Sequence, residues 1–297
     1  MDQPMNTSLT KSSDPETWTR AAGGPWVRAG LVGFVLLGAG AIFVVGSPYF
    51  ELTAWNDDAV YNGVLAAGFG ILTFLLRRRP SLVSLGFCSE ALFVAATAML
   101  VLVIGPFNWL VTLDDDSYRH AFQDKLAQFL AVVPVIAVLT RAAGRPWGWI
   151  YVQRGRPRRW LTLGLSMLVI GASVISILAI ANGITSAALL AAAPWIVAFA
   201  ALNAVMEELW FRGIFLRACA IGMGGVLAVL VTAIVFGAAH VGATYVSAGQ
   251  QLLFASLAAG LGIILALAMR WGDSLWGAVL LHVALDLVVV FELVESV

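Results

Sequence analysis

Glu207, Glu208, His240, His282 and Asp286 each interrupt an apolar run in the last third of a 297-residue sequence. A formal charge at the centre of a bilayer costs about 2.5–3.5 kcal/mol on insertion scales, so an ionisable residue inside a membrane span is functional by default. His282 and Asp286 are four residues apart and share one helix face. Glu208 and Arg212 have the same spacing in the favourable acid-before-base order, so Arg212 can hold Glu208 as an ion pair. Glu207 lies about 100° around the same helix, with Asn203 one turn before it on its face. Two imidazoles and at least two carboxylates are the ingredients of a hydrolytic centre. A carboxylate base activates water, and histidines bind a metal or stabilise an oxyanion.

The elements that must carry these residues follow from composition. The chain is 61% hydrophobic and 11% charged, with a net charge of zero; a soluble domain carries about 25% charged residues. Nucleic-acid binding through a basic surface is excluded by the lack of excess Lys and Arg. Disorder over most of the length is excluded by the apolar composition. Cys88 and Cys219 sit in or beside apolar runs, which leaves no disulfide framework and no Cys-based metal cluster. The remaining class is an all-α, polytopic integral membrane helix bundle in contact with the lipid bilayer.

A crossing helix needs about 20 apolar residues. Such runs lie near 29–50, 59–76, 91–112, 121–140, 161–181, 194–216, 225–244, 251–269 and 275–294. Nine helices are expected, or eight if the fourth run does not cross, since it holds Asp124, Lys125, Gln128 and Pro134. Asn182-Gly183 favours a turn and Pro194 suits a helix start, which divides the fifth span from the sixth. With the N-terminus inside, 15 of the 17 basic residues fall on inner segments and only Arg119 and Lys125 outside. The positive-inside rule therefore places the N-terminus in and the C-terminus out. Counted from the inner ends, Glu207 lies about 13 Å deep, His282 about 10 Å, Asp286 about 16 Å and His240 about 22 Å. The mismatch at His240 predicts a loop through Ile221–Leu227 and a later start for its helix.

Residues 1–26 are polar and read as a flexible cytoplasmic tail, without the pattern of a cleaved signal peptide. Residues 27–159 form the N-terminal transmembrane helices with an Arg-rich cytoplasmic loop, and 160–297 form the core that carries the site. The glycine pairs Gly38/Gly40, Gly68/Gly70 and Gly260/Gly262 fit close helix packing. Trp109, Trp147, Trp149, Trp160, Trp195, Trp271 and Trp276 read as an interfacial belt. Glu90 and His120 read as interfacial or packing residues. The Arg141–Arg159 loop reads as a determinant of topology, with attraction of anionic lipid or an acidic substrate segment as a lesser reading.

Three motifs then stand in order, each inside a hydrophobic span: Glu207-Glu208-Leu-Trp-Phe-Arg212, Phe236-Gly-Ala-Ala-His240 and His282-Val-Ala-Leu-Asp286. They resemble the Glu-Glu-x-x-x-Arg, Phe-x-x-x-His and His-x-x-x-Asn/Asp motifs of the CAAX-protease and bacteriocin-processing (CPBP, or Abi) intramembrane proteases. The resemblance covers about residues 160–294. It implies an endopeptidase acting near the cytoplasmic face on a peptide or membrane-protein substrate. Glu207 would be the general base, Glu208 and Arg212 its structural partners, and His240 and His282 would complete the centre. The family's prenyl-protein members often have Asn where this chain has Asp286. An ionised Asp cannot donate a hydrogen bond, which moves Asp286 from oxyanion donor toward metal ligand or orienting partner of His282. If a metal is bound, His240, His282, Glu207 and Asp286 would suit zinc; a metal-free Glu/His pair is the alternative. The rival functions are a proton-coupled transporter, in which the same acids and histidines form a relay, and a non-catalytic bacteriocin-immunity or scaffold protein. Arg outnumbers Lys 15 to 2, a bias of high-GC bacterial genes. It points to a bacterial plasma membrane and away from a prenylated substrate.

Overall fold

The computed structural model describes residues 23–47, 59–113, 117–241, 247 and 249–291. The tail expected over 1–26 lies outside them up to residue 22. The acids Glu51, Asp57, Asp58, Asp114–Asp116, Glu292 and Glu295, which an N-in topology puts on the outer segments, also lie outside the described residues.

All regular structure among the described residues is helical. In chain order the helices are α1 (Pro25–Gly40, running on as a π-helical turn Ala41–Val45), α2 (Ala59–Leu76), α3 (Val83–Ile104), α4 (Tyr118–Ala142), α5 (Pro157–Ala181) and α6 (Ser186–Glu208). Then come a π-helical segment Leu209–Leu216, α7 (Arg217–Met223), α8 (Gly225–Ala239), α9 (Gln251–Gly272) and α10 (Leu275–Val289). Among the described residues seven continuous runs are long and apolar enough to cross a bilayer; α8 and α10, at 15 residues each, are shorter. Leu37, Ile71, Ile180 and Leu190 point outward and exposed, as lipid-facing positions do. The chain is an all-α polytopic membrane bundle.

Three boundaries differ from the sequence reading. The third span starts at Val83 rather than 91 and stops where Gly105 takes a left-handed cap (φ 63°) just before Pro106; Gly then Pro is the usual helix stop. The turn at Asn182-Gly183 is present, yet α6 begins at Ser186, with the Thr185 hydroxyl accepting from the Ala188 N–H. Pro194 therefore lies inside α6 rather than at its start. The sixth span also runs on without a break to Met223, so no loop forms through Ile221–Leu227. Gly224 alone turns the chain into α8.

That turn settles the depth of His240. Glu208 lies sixteen residues before Gly224 and His240 sixteen after it, on two arms that pack together. Because the sixth span ends at Met223 and not at 216, Glu207 lies deeper than the apolar run suggests and level with His240.

Glycines let the arms of the core approach. A Cβ on Gly237 would stand 2.6 Å from the Ala255 carbonyl oxygen, and one on Gly262 3.0 Å from Ala233 Cα, so α8 and α9 touch backbone to backbone. Gly171 of α5 meets the Ala284 carbonyl of α10 in the same way, at 2.7 Å. Of the three glycine pairs read as packing positions, Gly38, Gly70 and Gly262 pack, while Gly40, Gly68 and Gly260 have nothing within 4 Å.

The α9–α10 turn is fixed from outside by the segment after α4. Arg156 N–H donates to Gly272 O (2.7 Å), Gln153 Nε2 to Asp273 O (2.9 Å) and Leu275 N–H to Tyr151 O (2.9 Å). Ser274 Oγ donates to Gln153 O (2.7 Å). Gly155, at φ 50°, has no room for a Cβ, which would fall 2.2 Å from Asp273 O. The Arg-rich loop is thus a clamp on the start of α10, the helix that carries His282.

Candidate active site

The motif residues converge from three elements. Glu208 is fully buried, and its Oε1 accepts from Arg212 Nη1 and from His282 Nδ1, both at 2.9 Å. The Glu208–Arg212 pair expected from spacing is present. Arg212 is itself buried, lies over the Phe236 ring at 4.1 Å, and fits beneath Gly262, where a Cβ would stand 3.3 Å from Nη2. An arginine stacked on an aromatic face gains cation–π attraction. Arg212 stands within the π-helical segment that begins directly after Glu208; π segments gather at functional sites.

His240 caps the C-terminus of α8. Its Nδ1 lies 2.7 Å from Phe236 O. A carbonyl only accepts, so Nδ1 carries the proton and Nε2 is turned toward Glu207 Oε2 at 3.9 Å. His282 Nε2 faces the same oxygen at 3.7 Å and Asp286 Oδ1 at 3.4 Å. Asp286 is held from α6 by Asn203 Nδ2, 2.9 Å from Oδ2. Glu207, His240 and Asp286 are part-exposed, whereas Glu208 and His282 are closed off.

All seven residues singled out by sequence therefore meet in one cluster, with a different division of partners. The group on His282 Nδ1 is Glu208, which spacing paired with Arg212 alone. Asp286 sits beside Nε2 and is tied to Asn203, which spacing placed with Glu207. Phe236 received no role from sequence. Its ring packs against His240 (4.5 Å between centroids), edge-on to His282 (6.0 Å) and under Arg212. Its place in the Phe-x-x-x-His motif was the signal available. The π-helical turn left no trace in residue pattern.

The donors match zinc in kind, imidazole nitrogen with carboxylate oxygen. They do not match it in arrangement: among the described residues no group of three or more His, Cys, Asp or Glu is gathered to hold a metal ion.

Residues outside the cluster follow the structural readings. Glu90, two turns into α3, takes both Nε and Nη2 of Arg145 at 3.1 and 3.0 Å, and Arg77 at 3.3 Å. His120 Nδ1 donates to Leu113 O at 2.6 Å. Both cysteines are buried and free.

A polytopic helix bundle with a carboxylate and imidazole cluster inside it defines a membrane protein with the makings of a hydrolytic centre. Residues 188–288, which hold the whole cluster, match the family model described as type II CAAX prenyl endopeptidase Rce1-like, in agreement with the resemblance read from the three motifs. No curated protein and no solved structure compared with the chain matches it.

Proposed function

We propose that this protein is an intramembrane endopeptidase in which Glu207 activates the attacking water. One observation carries the reading most: Glu207 Oε2 is buried without a hydrogen-bond partner, and Nε2 of both His240 and His282 faces it at 3.7–3.9 Å. A buried carboxylate oxygen without a partner is costly in a purely structural ion pair, and polar groups at that separation are commonly joined through water. The match over residues 188–288 supports a protease of membranes.

In this reading a water bound between Glu207 Oε2 and His240 Nε2 gives a proton to Glu207, and its oxygen attacks the scissile carbonyl. His282, held at Nδ1 by Glu208, turns Nε2 to the oxyanion and stabilises it in doubly protonated form. Glu207 then returns the proton to the leaving amine. Asn203 and Asp286 keep the α6–α10 seam in register beside His282. General-base catalysis of this kind contributes about 10²–10⁴-fold in rate.

The test is a comparison of membranes that contain wild-type protein with membranes that contain Glu207→Gln. A substrate should accumulate uncut in the variant, and synthetic peptides spanning its cleavage site, with and without a prenyl group, then define the substrate class. Identical proteomes would favour a non-catalytic scaffold and contradict the proposal.

A further inference from the structure

Away from the catalytic cluster, α2, α3 and α4 leave a cleft of about 200 Å³ between them. Its walls are Gly70, Phe74, Phe93 and Leu139, with Arg77 and Glu90 among its lining residues. Helices α2 and α3 are joined by a short connection through Arg77-Arg78-Arg79, so the cleft runs from that connection toward Gly70, which is apolar and about 10 Å away along the helix. Its charged end already balances itself in part: Glu90 is held by two nitrogens of Arg145, and Arg77 reaches the same carboxylate only as a second cation. Arg78 lies over the Phe74 ring at 4.5 Å, and all three arginines are exposed. Among the described residues Arg78 and Arg79 have no ion-pair partner, and only Arg77 and Arg145 reach the Glu90 carboxylate. Charge at one end and apolar walls at acyl depth are the two halves of an amphiphile.

We propose that this cleft is a binding site for an anionic phospholipid, its headgroup on Arg77, Arg78 and Arg79 and an acyl chain along Gly70, Phe74, Phe93 and Leu139. The absence of a Cβ at Gly70 keeps the cleft open beside Phe93, whose ring would otherwise lie 3.0 Å from that atom. A lysine or arginine near an anionic headgroup contributes about fivefold in affinity, the equivalent of about 1 kcal/mol. The three together account for about a hundredfold preference over a zwitterionic lipid.

The experiment uses the full-length protein, delipidated in detergent, and native mass spectrometry with phosphatidylglycerol or phosphatidylcholine of identical acyl chains. Wild type should retain phosphatidylglycerol in preference. Arg77→Gln/Arg78→Gln/Arg79→Gln should lose that preference. Ala142→Leu, an exposed position on the cleft wall, should weaken retention of phosphatidylglycerol while all arginines remain. Circular dichroism and melting temperature confirm that each variant is folded. Equal retention of the two lipids by wild type overturns the proposal. So does retention of phosphatidylglycerol that Ala142→Leu leaves unchanged, which would mean that surface charge alone attracts the lipid, or a preference that survives the triple variant.

Discussion

At the scale of single residues, Glu208 joins the two halves of the cluster, accepting from Arg212 and from His282 with one oxygen. Removing one member of a buried ion pair leaves the other charge uncompensated and costs about 3–5 kcal/mol. Arg212→Met should therefore lower the melting temperature sharply. Adding Glu208→Gln to it should recover part of that loss, since the stranded carboxylate is gone. A double-mutant cycle on thermal unfolding in detergent checks this; strict additivity of the two losses would contradict it. Half of this arrangement is legible in sequence. The Glu208–Arg212 contact follows from four-residue spacing on one helix. The Glu208–His282 contact joins residues 74 apart, and only the antiparallel packing of α6 and α10 decides it. The same packing gave Asn203 to Asp286 instead of Glu207.

At the scale of elements, the clamp on the α9–α10 turn is the feature to perturb. Gly155→Ala forces a Cβ against the Asp273 carbonyl in a backbone conformation that favours glycine. It should destabilise by more than about 1 kcal/mol and reduce cleavage, because α10 can no longer hold His282 in place. Wild-type stability and activity in that variant would mean that the loop merely lies against the turn. Within the same turn, burial pushes the Asp273 carboxyl above the usual carboxylate range, opposed by Arg156 and Arg217. The folded chain then binds that proton more tightly than the unfolded chain. This contribution is most favourable below the ordinary carboxylate range and is lost as pH rises through the raised value. Asp273→Asn, which tolerates the left-handed conformation at φ 49°, should melt higher than wild type at pH 7 and converge with it in acid. A variant that melts lower at pH 7 would contradict this sign. Helix existence and order were readable here from apolar runs, since the bilayer forces backbone polar groups into helices. Helix ends were not, because Thr185, Gly105 and Gly224 decide them through local caps that a hydropathy reading passes over.

At the scale of the whole molecule, the distribution of charge remains the argument for orientation. The described basic residues Arg77 through Arg79, Arg141 through Arg159 and Arg270 lie at the connections α2–α3, α4–α5 and α9–α10, at one end of the alternating helices. We propose that this end faces the cytoplasm, as the positive-inside rule requires. A cysteine placed at exposed Arg154 should react with a membrane-impermeant maleimide in inside-out vesicles and resist it in intact cells; the reverse pattern would invert the topology. The native cysteines are both buried, which limits background. The zero net charge of the sequence conceals this asymmetry, just as the 11% charge conceals a cluster of acids and histidines inside an apolar bundle. Composition identified the solvent, and position identified the site.

The most direct measurement of the central claim is cleavage by purified protein in nanodiscs, comparing wild type with Glu207→Gln and His240→Ala at matched folding. The account predicts that wild type hydrolyses its peptide, that Glu207→Gln falls by at least about 10²-fold, and that His240→Ala is similarly impaired. Turnover by folded Glu207→Gln at the wild-type rate would contradict it.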